Sequence, residues 1–191
     1  MILFDFDATS FPQPGPTEHT AAGLPWNAFH LVPVLLHIGG IDLIGDDADA
    51  DRATVTQGLG LPLPEVALWG LVALHHVRRS GRSAYELNEH GTALLFQLNA
   101  NTLLVHSLRR ERTVQVPYNR LLVAWEDFDR RVRVFLSETF GQLTNYSWWN
   151  ESMDRWLHGT MDIAARQPPA ASMRFLDWCD GCFDRIDAVE P

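Results

Sequence analysis

Between Ala84 and Tyr118 the spacing of the chain leaves little choice of fold. Four short apolar and β-branched runs follow one another: Ala84 to Leu87, Ala93 to Leu98, Thr102 to Leu108 and Thr113 to Tyr118. Only Glu89-His90-Gly91, Asn99-Ala100-Asn101 and Arg109 to Arg112 separate them. Parallel neighbours need a crossover of about a dozen residues, which such spacers cannot supply. The pattern therefore predicts consecutive antiparallel strands, a meander.

A helix is expected next. Asn119 is a suitable cap residue. Leu122, Trp125, Phe128, Val132, Phe135 and Leu136 then recur at helical spacing as far as about Phe140. Glu126–Arg130, Asp127–Arg131 and Asp129–Arg133 lie four apart with the acid first, the favourable orientation, and read as a solvated face. The helix is expected to lie on the sheet.

Upstream, Met1 to Ser10 alternates with period two and reads as a strand, ended by Phe11-Pro12-Gln13-Pro14-Gly15-Pro16, where each Pro lacks a ladder donor. Phe29 to Ile38 is an apolar strand, Gly39-Gly40 a hairpin turn and Ile41 to Ile44 the returning strand. Gly45 to Leu63 reads as a polar loop and Pro64 to Arg79 as a helix with Val66, Trp69, Val72 or Ala73, and His76 on one face. Gly70 weakens that helix by about 1 kcal/mol relative to Ala. Downstream, Ser147 to Ala165 and Ser172 to Val189 read as helices split by Gln167-Pro168-Pro169. The expected class is α+β: an antiparallel meander with a long helix on one face and additional C-terminal helices. Residues 1–142 form the sheet-and-helix domain, and 143–191 a helical extension packed on it.

Charge narrows the choice of function. The 191 residues carry a formal net charge of −9, and all 15 basic residues are arginine. From Met1 to Asp51 there is no Lys or Arg, but there are eight acids: Asp5, Asp7, Glu18, Asp42, Asp46, Asp47, Asp49 and Asp51. Such a field repels phosphate backbones and steers basic partners, which disfavours direct nucleic-acid binding. No apolar run reaches the roughly 18–20 residues of a membrane helix. The N-terminus carries acid where an export signal carries base. A cytoplasmic protein off the membrane is expected.

Several motifs invite a chemical reading. Ile2-Leu3-Phe4-Asp5-Phe6-Asp7-Ala8-Thr9 resembles the first motif of the haloacid-dehalogenase-like phosphatases, and Gly45-Asp46-Asp47 with Asp51 resembles their magnesium-holding motif. The resemblance implies Asp5 as nucleophile and Asp7 as general acid/base. About 35 residues separate the two motifs, too few for the crossovers of a parallel sheet, and no Arg lies between them to hold phosphate. Asp47-Ala48-Asp49-Ala50-Asp51 begins like a calcium loop, but Arg52 and Gly58 stand where that loop needs Gly and Glu. Trp178-Cys179-Asp180-Gly181-Cys182 sits inside an amphipathic helical pattern, so Cys179 and Cys182 read as buried, reduced thiols without metal. His75 with Glu86 and His90 is a cross-element combination that no spacing demands. No cofactor is implied.

Ala93-Leu94-Leu95-Phe96-Gln97-Leu98, Val114-Gln115-Val116-Pro117-Tyr118 and Leu121-Leu122-Val123-Ala124-Trp125-Glu126, leading to Val132-Arg133-Val134-Phe135-Leu136, resemble a module of small α+β proteins of GC-rich bacteria. Those are similar to the immunity proteins of polymorphic toxin systems. The resemblance implies a non-enzymatic, inhibitory binding role and carries over no site residues. Asp46, Asp47, Asp49 and Asp51 are the expected steering charges for a basic protein partner, with Trp26 as an anchor. A metal-dependent phosphoester hydrolase using Asp5 and Asp7 is the alternative. A scaffold or subunit using the cluster Trp148, Trp149, Trp156 and Trp178 is a third reading, and a homo-oligomer stays open beside it.

Overall fold

A computed structural model of the chain describes residues 1–11, 31–45, 59–87 and 92–140. The elements are β1 (Ile2–Phe6), a 3-10 turn (Ala8–Ser10), β2 (Leu31–Ile38), β3 (Ile41–Asp42), β4 (Leu59–Pro62), α1 (Leu63–Ser80), β5 (Arg82–Leu87), β6 (Thr92–Asn99), β7 (Thr102–Ser107), β8 (Arg112–Pro117) and α2 (Tyr118–Phe140).

The meander forms as its spacing requires. β5, β6, β7 and β8 pair in order, each with the next, all antiparallel. Its inner face carries Tyr85, Leu94, Phe96, Leu103, Val105, Val114 and Val116, all buried. The class is α+β, but with two four-stranded sheets where one was expected. β2 is the centre of the other sheet. Val34 pairs with Phe6 of β1 on one edge and with Leu59 of β4 on the other. Ile38 pairs with Ile2 and, on the edge that β4 shares, with Ile41 of β3. Gly39 and Gly40 turn between β2 and β3 with φ of 63° and 94°, which glycine adopts without strain.

Two ties join the sheets beyond the shared core. Ser107 Oγ donates to Leu43 O at 2.6 Å, and Arg110 Nε to Asp42 O at 3.2 Å. The helices fill the space between. Trp125 of α2 lies against the ring of Phe4 (centroids 4.4 Å apart) and nears Tyr85 and Phe96 at 6.2 and 6.4 Å, so one indole meets both sheets.

Several expectations need correction. The first strand stops at Phe6, because Asp7 turns its carboxylate onto Thr9 N at 3.0 Å and starts the 3-10 turn. The returning strand is only Ile41–Asp42, because the Asp42 carboxylate accepts from Ile44 N and closes a local turn. Leu59–Pro62, expected as loop, is β4; Leu59 and Leu61 are buried at alternate positions. In α1 the buried stripe is Val66, Ala67, Leu71, Leu74 and Val77, while Trp69 is 38% exposed and His76 half-buried. α2 begins at Tyr118, so Asn119 lies inside the helix and is not its cap. The α2 charge run is not wholly solvated: Asp129 is 9% exposed and binds Arg133 Nε at 2.8 Å. Asp127 pairs with Arg131 as expected, but Arg130 turns to Asp127 and not to Glu126. The start of β2 expected at Phe29, the helices over 147–165 and 172–189, and Cys179 and Cys182 lie outside the described residues.

Candidate functional site

A groove of about 770 Å³ built from described residues lies between β1 and the N-terminal half of α2. Met1 to Asp5 form one wall, Arg120, Val123, Ala124 and Asp127 the other, with Val116 and Pro117 of β8 in its lining. Period two places the walls. Phe4 and Phe6 turn inward onto Phe128, with ring centroids 4.6 and 5.9 Å away, which leaves Leu3 and Asp5 facing outward. On α2 the groove residues Arg120, Ala124, Asp127 and Arg131 flank the buried stripe on one side. Leu3 at 41% and Val123 at 62% exposure make part of its floor apolar.

Asp5 belongs to an ionic chain along this groove. Arg131 Nη1 donates to Asp5 Oδ1 at 3.1 Å and Arg131 Nε to Asp127 Oδ2 at 3.2 Å, while Arg131 Nη2 donates to Phe4 O. Asp5 Oδ1 also accepts from Phe6 N at 3.0 Å. Asp7 accepts from both the amide and the hydroxyl of Thr9, the latter at 2.6 Å. Both carboxylates of the phosphatase-like motif are thus engaged in holding local structure. Asp5 lies on β1 at a sheet edge and Asp7 just past its end, and every strand pair among the described residues is antiparallel. The parallel core that would support a phosphatase site is not built by these elements.

Other titratable groups lie apart from the groove. His75 and His76 on α1 are held below the ordinary imidazole value, chiefly because burial penalises the cation. Ser80 Oγ approaches His76 Nδ1 at 3.5 Å, but its hydrogen goes to carbonyls, His76 O at 2.9 Å or Arg82 O, so it closes the helix end and is not presented as a nucleophile. No group of three or more His, Cys, Asp or Glu among the described residues is placed to hold a metal ion. No helix of the described part is long and apolar enough to cross a membrane.

Of the expected binding residues, Trp26, Asp46, Asp47, Asp49 and Asp51 lie outside the described residues, as does His90. The groove residues Leu3, Arg120, Val123 and Arg131 were not anticipated as a site. The available signal was Val123 and Val134: eleven residues apart, they share a face of α2 off the buried stripe, where apolar side chains serve no core. No protein-family model, curated protein or solved structure matches this chain.

Proposed function

We propose that this chain is a non-enzymatic binding protein, an immunity-like inhibitor that holds a basic protein such as a toxin. One observation carries the reading. The Asp5 carboxylate, the nucleophile of the alternative hydrolase, is tied to Arg131 and Phe6 N at a sheet edge, beside an open groove with exposed apolar side chains. The net charge of −9 and the absence of Lys and Arg before Arg52 favour a basic partner. Asp46, Asp47, Asp49 and Asp51 are the proposed steering charges, and Trp26 the proposed anchor.

The test is to capture the partner from the protein's own cells, purify it and measure association. Replacing Asp46, Asp47, Asp49 and Asp51 together by Asn should slow association roughly tenfold at low salt and much less at high salt, with dissociation little changed. Trp26→Ala should instead speed dissociation. A partner that is not basic, or an association rate unaltered at every salt concentration, rejects the reading. Phosphatase turnover abolished by Asp5→Asn would establish the hydrolase instead.

A further inference from the structure

We propose that the edge of β1 that no described strand pairs accepts an extended peptide segment as an added strand, with an acidic side chain of that segment held by Arg120. The proposal rests on the binding-protein reading above and names what the groove takes.

The backbone register comes first. Gly39 N donates to Met1 O at 3.0 Å and Asp7 N to Pro33 O at 2.9 Å, so the odd residues of β1 turn their backbone groups towards β2. In an antiparallel pair the intervening residues turn theirs the other way. Ile2, Phe4 and Phe6 therefore present N–H and C=O to the open side, and two contacts agree: Phe4 O accepts from Arg131, and Phe6 N donates to Asp5. These side chains close the far half of the edge. The N–H and C=O of Ile2 and the N–H of Phe4 have no partner among the described residues, and they border the groove. A row of free strand groups is matched by another extended backbone.

The side chains select the occupant. Leu3 and Val123 offer exposed apolar contacts to the alternate side chains of an added strand. Asp5, Asp127 and Arg131 are paired with one another. Arg120, also in the lining, is exposed and has no ion-pair partner among the described residues, so its guanidinium complements a carboxylate. Size favours a peptide over a second copy of the chain. A groove of about 770 Å³ falls in the range of pockets that take small ligands. A stable pair of copies buries about 1,200–2,000 Å², whereas among the described residues Arg131 and Asp5 leave open only the groups of Ile2 and the N–H of Phe4.

The test uses the full chain, isotopically labelled, and a panel of eight-residue peptides, acetylated and amidated. Each alternates valine with threonine and carries one glutamate, moved through the positions. NMR titration with the best of them should give saturable shifts at the Ile2 and Phe4 amides and at Val123. Arg120→Glu should weaken binding about tenfold, and Arg120→Lys should largely restore it. Backbone N-methylation of the peptide should abolish binding. Because Arg120 is exposed, an unchanged far-ultraviolet spectrum should show that the variant folds. Unmoved Ile2 and Phe4 amides, equal binding of the N-methylated peptide, or an Arg120→Glu variant of parental affinity would overturn the proposal. Loss of peptide binding with salt-dependent capture of a basic partner intact rejects the groove and leaves the binding-protein reading. The reverse result rejects the basic partner and leaves the groove.

Discussion

At Gly70 two physical effects oppose each other, and the structure decides between them. A helix interior favours Ala over Gly by about 1 kcal/mol. Yet a Cβ on Gly70 would lie 1.8 Å from Cζ2 of Trp125, whose indole is buried against α1 with Nε1 donating to Val66 O at 3.2 Å. Overpacking of a filled core costs about 1–3 kcal/mol, and more where the obstacle cannot move. Trp125 is wedged between two sheets and α1, so packing should win. Gly70→Ala should lower unfolding stability by about 2 kcal/mol or more in urea titration. In a Trp125→Leu background the same change should become neutral or stabilising by up to about 1 kcal/mol. An equal loss in both backgrounds would show that Trp125 is not the cause. The sequence exposes Gly70 as a weak point in a helix and Trp125 as one of a stripe. Their contact is not legible there, because it joins residues far apart in the chain.

Among the described elements, β1 is an edge strand whose outer side no described strand pairs. An open strand edge invites pairing with other chains unless charge or a covering element blunts it. Arg131 supplies that device, reaching over the edge to Phe4 O and Asp5. Arg131→Met keeps most of the aliphatic stem and removes the guanidinium. It should lower stability by about 1 kcal/mol and raise the average mass in sedimentation at high protein concentration. An unchanged mass across concentrations would show that Arg131 does not guard the edge. Elements set by local rules were the legible ones. The meander followed from its spacers, the β2–β3 turn from its two glycines, and α2 from a stripe of large apolar side chains. β4 was missed because Leu59-Gly60-Leu61-Pro62 contains two residues that weaken a strand, and its pairing with β2 is non-local. The groove was illegible for a related reason: its walls come from opposite ends of the described chain, and Arg131 has the same spacing to Asp127 whether or not it also meets Asp5.

At the scale of the whole described structure, two sheets and two helices share one core, and partly buried histidines lie on α1 and on β7. His75 and His76 lie on α1 and His106 on β7, where its Nδ1 meets Thr113 Oγ1 at 2.8 Å. All three are held below the ordinary imidazole value of 6.5, first by burial. Glu126 partly offsets this at His75, which Arg79 lowers further; Arg79 also lowers His76, and Glu111 partly offsets the burial of His106. Between about pH 6.5 and their depressed folded values, the unfolded chain binds more protons than the folded one. Stability from these groups is therefore complete above about pH 6.5, is lost as pH falls through their folded values, and changes no further below them. The ordinary imidazole value of about 6.5 lies between pH 7.5 and 5.5, so a comparison across that interval covers the change in the unfolded chain. The urea midpoint should drop between those two values at fixed salt. Replacing His75, His76 and His106 by Gln should flatten that drop, while the remaining histidines, common to both proteins, cancel in the comparison. A triple variant that loses stability as steeply as the parent would show that protonation elsewhere governs the response.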